Sequence, residues 1–158
     1  QVIVDGKQLG KDVDFAPDAG IIIETPCFLP YLSGFQNLKE LASIRNIISK
    51  EEIAEAMEQV KLDPSSRKHV GKYSLGMRQR LGIAQAIMER PRYLILDEPM
   101  NGLDTQGMED VRELLQKQKE TGVTVILASH SMEDIRLLCD TVHRIQDASL
   151  IPCTTEFS

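Results

Sequence analysis

One stretch of this sequence, an apolar run that ends abruptly in two acids and a proline, limits the folds that the chain can adopt. Tyr93 to Leu96 reads YLIL, and Asp97, Glu98 and Pro99 follow without a spacer. A short, continuous apolar run is typical of a strand buried on both faces of a parallel sheet. Because ligands bind at the carboxyl ends of such strands, the two carboxylates are predicted to face a binding site.

Helical and extended segments alternate around this run. Ser74 and Gly76 open a helix that Pro91 closes, and a helix start with a small, polar lead-in attracts anions. A second apolar strand, residues 123–128 (VTVILA), places His130 just beyond its end. Strands that alternate with helices predict parallel pairing and an α/β fold.

Caps and stop signals define the remaining elements. They predict a strand at 20–24, helices that begin at Asn37, Ser49, Asp104 or Thr105, and Ser131, and a final strand at about 141–145. Four polar side chains would then share one edge of the sheet: Glu24, Asp97, Glu98 and His130. An acid pair for Mg²⁺ and water, a histidine and an anion-attracting helix start together indicate nucleoside triphosphate hydrolysis.

Composition excludes several other classes of protein. The net charge of -6 comes without a basic stripe, so nucleic acid is not an expected partner. The three cysteines form no CxxC pair, which favours reduced thiols over disulfides or zinc. No apolar run approaches the roughly 20 residues that cross a bilayer, so any membrane link is expected to come through a partner.

The order of these motifs resembles a known family. From about residue 2 to about residue 151 the chain is similar to the nucleotide-binding domain of ABC transporters without its N-terminal part. The matching motifs are the signature (73–80, YSLGMRQR), the Walker B strand with the catalytic glutamate (93–98), the D-loop (101–104) and the switch histidine, His130. No Gly-Lys pair is followed by Ser or Thr, so the family's phosphate-binding loop is absent from this sequence.

The resemblance implies a fold and its division. The fold would be a P-loop NTPase (RecA-like) parallel sheet, truncated at its N-terminus, with an inserted α-helical subdomain. Residues 1–27 and 91–158 would form the α/β core, and residues 28–90 the helical subdomain that carries the signature.

The resemblance also implies roles at the sheet edge. Glu98 would polarise the attacking water and His130 would contact the γ-phosphate of ATP. Asp97 would hold Mg²⁺ through water, with Glu24, at the Q-loop position, as a second candidate for the metal. Asp104 would belong to the D-loop.

The signature implies a second subunit. Ser74, Gly76 and Met77 would contact ATP bound to the opposite subunit, because the family places its two sites at a head-to-tail dimer interface. Leu75 and Met77 stand where the family has a glycine and a glutamine. Taken singly, the strand-end acids fit a plain turn as well as a site, whereas His130 alone fits a structural residue better and Ser74 alone fits a helix cap better. The order in which these motifs follow one another favours the functional interpretation.

The resemblance extends to a branch and its partners. Glu24, the segment 24–34 (ETPCFLPYLSG) and the segment 73–84 resemble exporters of bacitracin-like and lantibiotic peptides. The expected protein is an ATPase subunit, dimeric with itself or a relative, held at the cytoplasmic face of the membrane by a permease. Two alternatives stay open: a soluble ABC ATPase acting on ribosomes or DNA, and a truncated interaction domain that does not hydrolyse ATP. The substrate, its direction of transport and the permease are not predicted.

Overall fold

The computed structural model describes residues 1–16, 18–23, 26–147 and 149–153. The strands in this part are β1 (Ile3–Val4), β2 (Lys7–Gln8), β3 (Ala19–Ile22), β4 (Tyr93–Asp97), β5 (Thr124–Ala128), β6 (His143–Gln146) and β7 (Ser149–Pro152). The α-helices are α1 (Gly34–Arg45), α2 (Lys50–Gln59), α3 (Leu75–Ile87), α4 (Thr105–Glu120) and α5 (Met132–Leu138). One turn of 3-10 helix, Val70–Lys72, precedes α3.

A parallel sheet in the order β3-β4-β5 organises the chain. Ile22 pairs with Leu96, which pairs with Leu127, so all three strands end at one edge. Helices α3 and α4 pack on this sheet. The predicted α/β fold with a parallel sheet is therefore confirmed, whereas the proposed division into core and helical subdomain stays a prediction.

The two faces of the sheet differ in burial. Leu94 and Leu96 on β4 are almost fully buried, but Ile95 between them is only half-buried, and its strand partners Ile21 and Ile126 are 39% and 55% exposed. The prediction that β4 is buried on both faces is therefore wrong. On the covered side α3 and the sheet approach so closely that a Cβ at Gly20 would collide with the Ala86 backbone of α3.

Four of the predicted helix starts are confirmed by their caps. The side-chain oxygens of Ser49, Ser74, Asp104 and Ser131 each accept a hydrogen bond from the backbone three residues later. Each cap satisfies an amide that the helix itself leaves unpaired, which typically contributes about 1 kcal/mol.

The predicted start of α1 at Asn37 is wrong. Ser33 is the N-cap, in a reciprocal capping box with Gln36. Asn37 is buried inside the first turns, where its Oδ1 accepts from the Leu29 amide at 2.8 Å and its Nδ2 donates to the Leu29 carbonyl at 3.1 Å. The asparagine therefore fastens the preceding loop to the helix rather than beginning it.

Antiparallel hairpins lie at both ends of the chain. β1 and β2 pair through a turn in which Asp5 and Gly6 both have positive φ, as the apolar run with a Gly turn suggested. The last predicted strand begins at His143 instead of residue 141, and it pairs with β7 outside the parallel sheet. None of the helices in the described ranges is long and apolar enough to span a membrane.

Candidate active site

The turn that follows β4 carries the catalytic-glutamate candidate in a strained conformation. Glu98 has φ of +46°, in the left-handed region, which costs a non-glycine residue roughly 1–2 kcal/mol. Its amide donates to the Ala128 carbonyl of β5 at 2.9 Å, and its carbonyl accepts from the Asn101 amide at 3.1 Å. The turn lifts Glu98 out of the strand and leaves Asp97 as the last strand residue.

The Glu98 carboxylate bonds His130 twice. Its Oε1 accepts from the His130 amide at 2.9 Å and lies 2.8 Å from the His130 Nδ1. This hydrogen bond, followed by the negative charge of Glu98, raises the pKa of His130 above its usual value. A protonated imidazole that donates from Nδ1 to Glu98 keeps its Nε2–H for another acceptor, such as a phosphate oxygen.

Asp97, the last residue of β4, is half-buried. No described residue forms a hydrogen bond or ion pair with it, and the described ranges contain no group of three His, Cys, Asp or Glu able to hold a metal. Mg²⁺ usually takes only one or two protein carboxylates and fills its remaining positions with water and phosphate. A single carboxylate that has no partner among the described residues, beside a proposed phosphate site, therefore fits Mg²⁺ bound together with a nucleotide.

The helix after His130 is fixed by a buried ion pair. Arg112 of α4 donates from Nε to Asp134 of α5 at 2.8 Å, and Asp134 is only 1% exposed. Arg112 also reaches Glu133 at 2.9 Å. Removing one partner of such a pair leaves a buried charge, at a cost of about 3–5 kcal/mol. The ion pair therefore anchors the segment that begins with His130.

The signature residues occupy the start of α3 and touch the following loop. Ser74 is exposed and its Oγ accepts from the Met77 amide at 3.1 Å. A Cβ at Gly76 would lie 3.0 Å from the Gly102 carbonyl, and a Cβ at Gly102 would collide with the Leu75 side chain. Signature and D-loop segments therefore pack against each other within one chain.

Two further predicted residues have structural partners. The Asp104 Oδ1 accepts from the Gly107 amide at 2.9 Å, so this carboxylate caps α4. The Met77 sulfur lies 3.8 Å from the Lys68 ammonium. Glu24 lies outside the described residues.

The structure thus brings Glu98 and His130 together, with Asp97 adjacent in sequence. In the described ranges no hydrogen bond joins Ser74 or Met77 to either of them. Instead the link from α3 to the Glu98 turn is a residue that the sequence analysis missed, Gln79.

Gln79 is buried, and its Nε2 donates to the Pro99 carbonyl at 3.1 Å. The signal that could have revealed it is its position on the apolar face of α3. Ile83 and Ile87, four and eight residues later, are buried on that same face. A polar residue in a buried stripe needs a hydrogen-bond partner.

Comparison with known proteins gives the family. The family model described as ABC transporter matches residues 1–101. Similar curated relatives include the uncharacterized ABC transporter ATP-binding protein YybJ of Bacillus subtilis, 44% identical over 88% of this chain and 64% of the relative. The bacitracin transport ATP-binding protein BcrA of Enterococcus faecalis is 44% identical over 84% of this chain and 43% of the relative.

The lantibiotic transport ATP-binding protein SrtF of Streptococcus pyogenes is 36% identical over 84% of this chain and 57% of the relative. The chain therefore spans about half the length of the curated relatives it matches.

Solved structures support the fold. The dimeric post-hydrolysis state of the ATP-binding cassette MJ0796 bound to ADP and Pi aligns with a TM-score of 0.78 at 19% identity, over 93% of this chain and 69% of that one. Another dimeric structure of MJ0796 aligns with a TM-score of 0.67 at 23% identity, over 76% of this chain and 55% of that one. From the family match over residues 1–101 and the identity to these relatives, we conclude that the chain belongs to the ABC transporter family.

Proposed function

We propose that this chain is part of the ATP-hydrolysing subunit of an ABC exporter for antimicrobial peptides or drugs. The observation that carries the proposal is the Glu98–His130 pair, joined at 2.8 Å at the carboxyl edge of a parallel sheet. An ordinary strand stop does not need a carboxylate held in a strained turn against a histidine.

Glu98 is proposed as the general base that polarises water. Its Oε1 is engaged by His130, whereas its Oε2 accepts no hydrogen bond from any described residue. The side chain is 28% exposed, so water can reach it. A positioned base of this kind typically contributes 10²- to 10⁴-fold in rate.

His130 and Asp97 are proposed to stabilise the negative charge of the phosphates, His130 by donating a hydrogen bond and Asp97 by holding Mg²⁺. The Nε2–H of a protonated His130 would donate to the γ-phosphate while Nδ1 stays on Glu98. Asp97 would hold Mg²⁺ through water, and the bound ion supplies neutralisation of the phosphate oxygens. Glu24 at the Q-loop position is kept as a second candidate for the metal.

Ser74, Gly76 and Met77 are proposed to serve ATP bound to an opposite subunit. Ser74 is exposed at the start of a 13-residue helix, where backbone amides and dipole favour an anion. The neighbouring structures of MJ0796 are dimeric. Asp104, in the loop packed against Gly76, would lie at the same interface, between two identical or related subunits.

A permease is proposed as the membrane partner, and peptides as its cargo. Relatives named for bacitracin and lantibiotic transport motivate the cargo. Apolar side chains exposed around the Q-loop position, Ile23, Leu29 and Tyr31, offer a docking surface for the permease. The subunit would therefore sit at the inner face of the membrane, bound to the permease.

The first test is ATP turnover of a longer form of the protein that carries the family's phosphate-binding loop. Glu98→Gln keeps the shape of the side chain but removes its charge, so turnover is expected to fall 10²- to 10⁴-fold with ATP binding retained. Glu113→Gln, the same change at an exposed position of α4, is the control. Near-normal turnover of the Glu98 variant contradicts the assignment.

The second test separates the exporter from a ribosome-associated ATPase. Cells that produce the longer protein with its permease are expected to tolerate more bacitracin-like peptide, and the Glu98→Gln variant is expected to lose this protection. Unchanged sensitivity, with the protein instead sedimenting with ribosomes, would favour the soluble alternative.

A further inference from the structure

The turn at Glu98 needs an external restraint. Its left-handed backbone is unfavourable for a glutamate, and only two backbone hydrogen bonds, from Glu98 to Ala128 and from Asn101 to Glu98, hold it within the described ranges. Without further support the backbone would relax toward ordinary φ values. The carboxylate would then move away from His130.

Gln79 supplies a third restraint from α3. Its Nε2 lies 3.1 Å from the Pro99 carbonyl and 3.5 Å from the Glu98 carbonyl, the second at the limit of a hydrogen bond. It is the one side chain in the described ranges that donates to these two carbonyls. Gln79 is 3% exposed, so water cannot easily replace it.

Gln79 and His130 hold different parts of the same turn. His130 binds the Glu98 carboxylate through two nitrogens, while Gln79 binds the backbone of the same turn. We infer that Gln79 is a positioning residue, which holds the Glu98 turn so that the carboxylate meets His130. This role rests on the proposed function of Glu98, although the geometry it predicts does not require nucleotide.

The competing explanation is that Gln79 only satisfies its own burial. In that case its loss would weaken the fold as a whole but would leave the Glu98 turn unchanged in every folded molecule. The two explanations differ in where amide protection is lost, because hydrogen exchange separates local opening from global unfolding.

The experiment is amide hydrogen exchange followed by NMR on this 158-residue chain. Gln79→Met keeps the length and burial of the side chain and removes the donor. The amides of His130 and Asn101 are expected to exchange roughly three- to tenfold faster, the size expected for one lost hydrogen bond. The exchange rates of amides in the middle of α2 and α4, which report opening of the whole fold, are expected to rise by a smaller factor.

Gln85→Met, the same change farther along α3, is the matched control and should leave both amides protected. Gln79→Asn keeps an amide on a shorter side chain, and it should repeat the effect if the methionine variant folds poorly. Equal protection of His130 and Asn101 in the folded variants overturns the inference. So does a uniform acceleration at every amide, which would mean a structural role alone. Neither result depends on ATP turnover, so the Glu98→Gln test stands or falls separately.

Discussion

The two halves of the candidate site hold their polar groups in opposite ways. In the strand-end half (Asp97, Glu98 and His130) the carboxylate and imidazole bond each other, and the turn beneath them is fixed from β5 and α3. In the helix-start half, Ser74 lies exposed, and among the described residues its hydroxyl bonds only the Met77 amide of its own helix. The comparison shows that the polar groups of the strand-end half bond each other within one chain, whereas the exposed hydroxyl of the helix-start half leaves room for the proposed ligand of an opposite subunit.

The largest expected effect is the weak binding of nucleotide by these two halves when the family's phosphate-binding loop is not present. This 158-residue chain is not expected to bind Mg-ATP with micromolar affinity, which requires about 8 kcal/mol. The helix start at Ser74 offers roughly 0.3–1 kcal/mol, up to about 2, and the carboxylates Asp97 and Glu98 repel phosphate. Isothermal titration is the measurement, with the longer form as a positive control. Micromolar binding at a stoichiometry near one would reveal an unrecognised phosphate site.

Breaking the helix-start half should abolish association. In the longer protein carrying Glu98→Gln, Ser74→Arg is expected to prevent the ATP-driven dimer, because the bulky cation blocks the partner's phosphate. ATP binding to its own subunit should survive. Size-exclusion chromatography with ATP is the measurement.

Ser49→Arg is the matched control for that experiment. Ser49 is also an exposed N-cap with the same bond to the third residue of its helix, so both variants should lose about 1 kcal/mol of stability. Loss of the dimer in both variants, or in neither, would mean that Ser74 acts only as a cap.

A smaller effect concerns the contact between signature and D-loop. Gly102→Ala is expected to cost about 1–2 kcal/mol for its positive φ, and more because the new Cβ meets Leu75. Gly10→Ala isolates the first cost, since Gly10 has nearly the same φ, +76° against +75°, and open space around it. Combining Leu75→Ala with Gly102→Ala should remove the excess, as measured by urea unfolding. Equal costs at Gly102 and Gly10 would disprove the contact.

The smallest effect is the pH dependence of the strand-end half. Because the folded-state pKa of His130 is raised, its pair with Glu98 stabilises the protein fully below the unfolded value near 6.5. This contribution is lost as the pH rises through the higher folded value. The stability gap between wild type and His130→Gln should therefore narrow with rising pH. His143→Gln, at a histidine with no bonded carboxylate in the described ranges, is the matched control.

Local signals predicted much of this fold. Polar caps before amphipathic runs predicted the starts of α2, α3, α4 and α5. A cap can be recognised from local sequence because its hydrogen bond reaches only three residues along the chain. Alternation of strands and helices gave the parallel sheet. Asn37 was wrongly predicted to begin α1. Its side chain instead forms hydrogen bonds with the backbone of the preceding loop, and only the folded structure reveals that contact.

The candidate site was less predictable. Sequence placed Glu98 and His130 at one edge, since both follow strands, and the 2.8 Å contact agrees with that placement. It did not anticipate the left-handed turn at Glu98 or the supporting role of Gln79. Both depend on contacts between segments about 20 to 30 residues apart, where spacing along one element carries no information. For the same reason, the sequence did not predict the exposed row of side chains that contains Ile21 and Ile126.

The left-handed turn at Glu98 places backbone strain and the carboxylate at the same residue, which matters when this protein is selected for heat resistance. Glycine at that position would relieve backbone strain of roughly 1–2 kcal/mol, which corresponds to several degrees in the melting temperature of a domain this size. It would also delete the carboxylate. The two bonds from His130 to that carboxylate would be lost with it, and their loss opposes the gain. Thermal screening at residue 98 therefore weighs backbone strain against these two bonds, whereas only a screen that includes ATP turnover of the longer form tests the proposed role of the carboxylate.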